Sequence, residues 1–149
     1  MDLIQKIKRI EQYVVENFEE LDMDDPIEEG YWEEYQEIPG ASQKEIEAFE
    51  KKLSIKLPKY FKELYSYKNG SQYFSIIPSV IHGVEMSFNL MSLEQMEKTK
   101  QYFQNRDALL TEFPDFFTEE DIEKMRDSRI KPYLFHKQWI PFAEYCDSC

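Results

Sequence analysis

The sequence predicts an α+β protein in which a mainly antiparallel sheet packs against several helices, and three observations predict it. Apolar residues near the N-terminus and at the centre recur three and four apart, as they do on one face of a helix. Residues 84–90 alternate apolar and polar side chains, as a half-buried antiparallel strand does. Helices beside short strands, in this order along the chain, favour the α+β class.

Length and charge limit what the protein can be. A chain of 149 residues with 42% hydrophobic residues suits a single domain over 1–149, with a helix and an acidic segment in 1–39 and the core in 40–149. The formal net charge of −12 predicts no binding to nucleic acid or anionic membranes, and it favours a basic protein partner. The alternative is that acidity only aids solubility.

Targeting signals are missing from the sequence. No apolar run reaches the length of about 18 residues that a membrane span requires. Residues 1–10 alternate charged and aliphatic side chains, unlike a signal peptide. Two cysteines do not indicate a disulfide framework. We therefore expect a cytoplasmic protein.

The first predicted element is an amphipathic helix over residues 2–21. Its apolar face carries Leu3, Ile7, Ile10, Val14, Phe18 and Leu21. Its polar face is expected to carry Lys6, Lys8, Arg9, Glu11, Gln12 and Glu16. Packing on its own domain is the favoured interpretation, because three heptads are few for a coiled coil.

An acidic segment follows, with no Lys or Arg between Glu16 and Glu37. Three aromatic residues lie within it: Tyr31, Trp32 and Tyr35. Pro26, Gly30 and Pro39 argue against one continuous helix. The favoured interpretation is a solvated loop with buried rings, since most charge runs are solvated surface. The alternative is a protein-binding surface, because Tyr and Trp beside carboxylates suit a basic partner.

Two short helices are predicted between Gly40 and Gly70. The first begins with a capping box of Ser42 and Glu45, and Gly40 ahead of it is expected to permit a backbone turn. Its apolar stripe is predicted to consist of Ile46, Phe49 and Leu53.

The second helix of this pair is predicted to start at Pro58, because proline suits the first helical position and extends the preceding Leu57. Its apolar face is predicted to carry Tyr60, Phe61, Leu64 and Tyr65. Asn69 and Gly70 are expected to end it, with Gly70 in the left-handed conformation.

Strands are predicted over 72–77 and 84–90, with turns at Pro78–Ser79 and His82–Gly83. Ser92 with Gln95 predicts a capped helix to about residue 104. Residues 105–117 are expected to be irregular, a short helix is predicted from Thr118 to about residue 127, and 130–145 has extended character.

Reactive side chains form no catalytic constellation in the sequence. Cys146 and Cys149 form a C-x-x-C motif, but zinc needs about four ligands and only His82 and His136 remain. A redox pair usually sits at a helix N-terminus, whereas this one follows a strand-like run. We predict ordinary thiols, no metal site and no cofactor.

The order of the central signals resembles the SUKH superfamily, which joins fungal SMI/KNR cell-wall regulators to bacterial immunity proteins. The resemblance lies in the run Gly-Ala-Ser-x-x-Glu-Ile-x-x-Phe-Glu-x-x-Leu from Gly40, then Ile-x-Leu-Pro-x-x-Phe-Lys-Glu-Leu-Tyr from Ile55, then Asn-Gly. The run Trp-Ile-Pro-Phe-Ala from Trp139 is similar to the second signature of the family. The two signatures bracket about two-thirds of the chain.

The resemblance implies an α+β domain and a binding role. The residues that match the signatures are expected to form turns, caps and ring packing: Gly40, Ser42, Glu45, Leu57, Pro58, Asn69, Gly70, Trp139 and Pro141. Family members look as though they continue into further strands, whereas this chain stops at Cys149. We expect either a shortened sequence or a sheet that ends with an exposed edge.

The leading hypothesis is a non-enzymatic immunity protein that binds a basic toxin domain, perhaps a nuclease. Its candidate contacts are the exposed face of the sheet and the residues Glu28, Glu29, Tyr31, Trp32, Glu33 and Glu34. A regulatory scaffold similar to the fungal members is the second hypothesis. A small metal- or redox-dependent enzyme that uses Cys146 and Cys149 is the third.

Overall fold

The described part of the chain contains short helices and two small antiparallel sheets. The structure is a computed structural model, and it describes residues 2–81, 83–103, 106–125, 127, 129 and 131–145. The helices in this part of the chain are α1 (Leu3–Asn17), α2 (Tyr31–Glu37), α3 (Gln43–Leu53), α4 (Lys59–Tyr67), α5 (Leu93–Lys100) and α6 (Glu119–Met125). The strands are β1 (Ile77–Ile81), β2 (Val84–Leu90), β3 (Ala108–Leu109), β4 (Tyr133–Phe135) and β5 (Ala143–Tyr145). The α+β prediction is confirmed.

The larger sheet has the strand order β1-β2-β5, and both pairs are antiparallel. Ile77 pairs with Phe88, which in turn pairs with Tyr145 across the sheet. Strands β3 and β4 form a separate antiparallel pair. The strand predicted over 84–90 is therefore present as β2, and the strand pairs in the described residues are antiparallel.

The chain divides into two compact units. The first contains the residues up to Glu97 and those from Pro141 onward, and the second contains Lys98–Ile140. One buried cluster of the first unit joins α1, α2 and β2, and it consists of Ile7, Val14, Tyr35, Ile38, Phe74, Ile76 and Leu90. The sheet of this unit thus packs against helices, as predicted.

The predicted helical pair is present as α3 and α4, which contact each other. Ile46, Phe49 and Tyr65 are buried, and the hydroxyl of Tyr65 donates to the carbonyl of Met91 at 2.7 Å. Burial raises the pKa of Tyr65. Tyr60 was expected on the apolar face, but it lies in the first turn of α4 and is 67% exposed, so this prediction is wrong.

Helix α1 is shorter than predicted. It begins at a capping box between Asp2 and Gln5 and ends at Asn17. The helix was predicted to continue to residue 21, but residues 18–22 form a turn. The amide of Met23 donates to the carbonyl of Phe18 at 3.0 Å, and Asp22 has a positive φ of 52°. This turn sends the acidic segment back over the core.

The strand predicted over 72–77 is wrong. Gln72 has a φ of 48°, and the amide of Phe74 donates to the carbonyl of Ser71 at 3.0 Å, so the segment turns. Phe74 and Ile76 are core residues in a loop, which explains their strand-like composition. Strand β1 begins at Ile77 and runs through Pro78 and Ser79, so the turn predicted at these two residues is wrong. Proline is tolerated here because β1 lies at the edge of the sheet.

The later helices follow their capping signals. Ser92 and Gln95 exchange hydrogen bonds at the start of α5, which ends at Lys100 and continues as a 3-10 turn to Phe103. Thr118 and Asp121 cap α6 in the same way. Of the predicted extended stretch 130–145, only β4 and β5 are strands among its described residues. Within the described ranges, no helix has the length and apolar character that crossing a bilayer demands.

Candidate functional site

The stretch from Glu11 to Glu37, which includes the acidic segment, accounts for the whole net charge of the protein. Twelve acidic residues and no Lys or Arg lie between Glu11 and Glu37, which equals the formal net charge of −12. The rest of the chain therefore carries equal numbers of acidic and basic residues. Ten of the twelve side chains are exposed: Glu16, Glu19, Glu20, Asp22, Asp24, Glu28, Glu29, Glu33, Glu34 and Glu37.

A hydrogen-bonded turn leads into α2. The Oδ1 atom of Asp25 accepts from the amides of Ile27 and Glu28 at 2.9 and 3.2 Å. Gly30 then adopts a φ of 79°, a left-handed conformation that favours glycine, and α2 starts at Tyr31. The segment was expected to be a loop, and this is wrong for residues 31–37, which form α2. The apolar side of α2 packs on the core.

The six candidate contacts separate into two groups. Glu28, Glu29, Glu33 and Glu34 are exposed, whereas Tyr31 and Trp32 are half-buried. The ring centroid of Trp32 lies 5.2 Å from that of Phe74. The ring of Tyr31 lies 5.7 Å from the ring of Tyr73, which is 62% exposed. The rings therefore attach α2 to the core, while the carboxylates face solvent.

A buried polar network lies beneath α2. Glu11 is 5% exposed, and its carboxylate accepts from the hydroxyls of Tyr35 at 2.6 Å and Tyr67 at 3.2 Å. Burial and the neighbouring Glu11 raise the pKa of Tyr35, and the same causes raise the pKa of Tyr67 to about 12. Both hydroxyls therefore stay protonated and can donate. The prediction that Glu11 lies on the polar face of α1 is wrong, because its side chain is buried. Its spacing from Ile7 and Val14 is that of the apolar stripe and could have indicated this.

Lys68 fixes the other end of α2. Its Nζ atom donates to the carbonyls of Gln36 at 2.6 Å and Ile38 at 2.8 Å. These are carbonyls at the C-terminal end of the helix, where a cation is favourable. The ammonium also lies 5.3 Å from the ring centroid of Tyr35, and burial lowers the pKa of Lys68. Helix α2 is thus held by polar contacts as well as by packing.

Gly40 and Ser42 are family-signature residues at the start of α3. The capping box is confirmed: the amide of Glu45 donates to the Oγ atom of Ser42 at 3.3 Å, and the amide of Ser42 donates to the carboxylate of Glu45 at 2.7 Å. This bonding lowers the pKa of Glu45. Gly40 serves packing, since it has no positive φ and a Cβ there would lie 1.8 Å from the carbonyl oxygen of Ser66.

Leu57 and Pro58 join the two helices. The amide of Leu57 donates at 2.7 Å to the buried carboxylate of Glu50, which also pairs with Lys62 at 2.7 Å. The hydrogen bond from Lys62 is the main cause that lowers the pKa of Glu50. Pro58 is the residue before the helix, one position earlier than predicted, and its carbonyl accepts from the amide of Lys62.

Asn69 and Gly70 do not cap α4, which ends at Tyr67. The Oδ1 atom of Asn69 instead accepts from the amide of Leu93 at 3.0 Å, at the start of α5. Gly70 has the predicted positive φ, 91°, and a Cβ there would lie 2.7 Å from the backbone nitrogen of Ser92. The pair therefore connects α4 to the start of α5.

Trp139 and Pro141 occupy the second signature. The Trp139 ring is 40% exposed and lies 6.2 Å from His136 and 6.3 Å from Tyr133, so ring packing is present. Its carbonyl accepts from the Nζ atom of the buried Lys100 at 2.8 Å. Pro141 is half-buried just before β5.

Tertiary structure brings one acidic residue to a histidine. The Nε2 atom of His136 lies 3.6 Å from the Oδ1 atom of Asp107, and its Nδ1 atom accepts from the amide of Gln138 at 3.1 Å. No sequence signal could link residues 29 positions apart. His82, Cys146 and Cys149 lie outside the described residues, and among those described no three potential ligands cluster as a metal site.

Comparison with known proteins gives one match. The chain matches the SMI1 / KNR4 family (SUKH-1) over residues 40–149, which includes both signatures. No curated protein and no solved structure matches it. The match covers more than half of the chain, so this protein belongs to the SMI1 / KNR4 family of the SUKH superfamily.

Proposed function

We propose that this chain is a non-enzymatic binding domain, an immunity protein that neutralises a bacterial toxin in the cytoplasm. The observation that carries the proposal is the segment from Glu11 to Glu37, which contains the entire net charge of −12. A toxin that cuts nucleic acid must present a basic site to phosphates, and a concentrated acidic surface complements such a site.

The packing of α2 supports this role. Glu33 and Glu34 project into solvent from a helix whose other side is attached to the core through Trp32 and Tyr35. A surface that is ordered before binding loses less conformational entropy on association. The proposed contacts are the four exposed glutamates and the accessible edges of two rings: Glu28, Glu29, Glu33, Glu34, Tyr31 and Trp32.

Co-expression with the toxin encoded beside the natural gene tests the proposal. The chain is expected to restore growth and to bind the purified toxin domain. Reversal of the four exposed glutamates to lysine is expected to weaken binding by more than about tenfold, because several close charge pairs would become repulsive.

A matched variant separates this effect from net charge. It reverses four glutamates of the same unit that lie outside the segment: Glu47, Glu63, Glu94 and Glu144. This variant is expected to bind almost normally. An equal loss of binding in both variants would contradict the assignment of the binding surface. If the unmodified chain did not bind the toxin, the proposal that the toxin is its partner would be wrong.

The other hypotheses have their own tests. Recovery of cellular enzymes and no toxin in a pull-down would favour a regulatory scaffold. Loss of an activity in a Cys146→Ser, Cys149→Ser variant would favour an enzyme.

A further inference from the structure

Phe116 is the most exposed large apolar side chain in the described part of the chain, at 80%. It lies in the turn before α6, where the amides of Phe116 and Phe117 both donate to the carbonyl of Phe113 at 3.0 Å. Phe113 and Phe117 are half-buried, so the turn directs only the central ring outward. A phenyl ring left in water forgoes the favourable free energy that burial of its apolar surface would give.

Carboxylates surround this ring in sequence. Seven acidic residues and no Lys or Arg lie between Asp107 and Glu123, and all but Asp107 are exposed. Some of them already have partners: Glu112 accepts from the amide of Leu109 at 2.6 Å and lies 3.7 Å from Arg106, Glu120 pairs with Lys124, and Asp121 caps α6. Asp115, beside the ring, pairs with no described residue.

We propose that Phe116 and the exposed carboxylates from Glu112 to Glu123 form a second contact surface, for a protein whose basic surface contains an apolar pocket. The phenyl ring would fill the pocket, and the carboxylates would pair with lysine or arginine around it. Such a central apolar group within a charged margin is the arrangement of an interface hot spot. Anionic lipid and nucleic acid would be repelled. That this partner is a toxin rests on the proposed function. Its basic surface and apolar pocket are inferred from Phe116 and the carboxylates alone.

Tyr102 is a matched control in the same unit. Its ring is 75% exposed, and the charged residues within four positions of it are Lys98, Lys100 and Arg106, with no carboxylate. If exposure alone made a ring a binding group, Tyr102 would behave like Phe116. If the surrounding charge matters, only Phe116 contributes to binding a basic partner.

The test uses the full chain and two synthetic peptides, so it needs no toxin. Both peptides carry the same number of lysines; one has leucines spaced three and four apart, and the other has serines there. In a titration followed by amide NMR shifts, the leucine peptide is expected to bind about tenfold more tightly, and the shifts that it causes beyond those of the serine peptide are expected to be concentrated in 112–123. Phe116→Ala is expected to abolish the difference, while Tyr102→Ala and Phe116→Leu keep it.

The outcomes are separable. Peptides that bind alike to the unmodified chain, a difference that survives Phe116→Ala, or equal loss in Phe116→Ala and Tyr102→Ala would each overturn the inference. Failure to bind any toxin would refute the proposed function and leave this titration valid. Circular dichroism should show that both alanine variants fold, since both side chains are exposed.

Discussion

Replacing Tyr35 by phenylalanine tests whether the buried network holds α2. The change removes one hydroxyl whose oxygen lies 2.6 Å from the Oε1 atom of Glu11, and the two residues are 2% and 5% exposed. Water cannot easily replace the lost donor. Hydrogen bonds to charged groups contribute about 1.5–3 kcal/mol, so we expect the free energy of unfolding to fall by about 2 kcal/mol.

Urea titration followed by the fluorescence of Trp32 measures this loss. The ring of Trp32 lies 5.9 Å from that of Tyr35, and a Trp139→Phe background removes the signal of the second unit. Tyr13→Phe is the control, because Tyr13 lies on the same helix as Glu11 but is 48% exposed. The control should change the free energy of unfolding by less than about 0.5 kcal/mol.

The second hydroxyl of the network gives a graded comparison. Tyr67→Phe should cost about 1 kcal/mol, because its hydroxyl lies farther from Glu11, at 3.2 Å, and is only partly buried. The double variant should deviate from additivity, since both hydroxyls bond to one carboxylate. A loss for Tyr35→Phe no larger than that of the Tyr13 control would refute the reasoning.

Two further changes, Gly40→Ala and Glu50→Gln, test the helical pair, and Gly30→Ala, outside the pair, is the control for the first. Gly40→Ala should cost about 3 kcal/mol by urea titration, because its Cβ would lie 1.8 Å from the Ser66 carbonyl oxygen. Gly30→Ala, with a φ of 79° but nothing within 4 Å, should cost about 1 kcal/mol; equal losses would contradict the steric explanation. Glu50→Gln should reduce the loss of thermal stability in acid. The pKa of Glu50 lies below its ordinary 4.5 in the folded state, so its contribution is present above 4.5 and lost as pH falls through the folded value. Parallel melting-temperature profiles for both proteins would contradict this.

Features that depend on a few neighbouring residues could be predicted from the sequence. The capping pairs Ser42–Glu45 and Ser92–Gln95 are local, because each side chain bonds to a backbone amide three residues away. The strand β2 was also readable, because the alternation of apolar and polar residues involves only seven consecutive positions. The family followed from the same local signals, because caps, prolines and glycines are its signature.

Features that depend on distant contacts could not be predicted. Phe74 and Ile76 have strand-like side chains, but they fill the core from a loop. Asn69 looked like a helix end, yet its acceptor serves a helix that starts 24 residues later. Composition cannot separate these cases, because the same apolar side chain satisfies a strand or a loop packed on the core.

For the candidate site, the sequence alone determined that acidic residues accumulate between Glu16 and Glu37 beside three rings. Tertiary structure decided which groups face the solvent, because the burial of Tyr35 against Glu11 and Phe74 orients α2. It also decided that Phe116 is exposed while Phe113 and Phe117 are half-buried. Charge is a property of composition, but exposure depends on residues that lie far apart along the chain and meet only on folding.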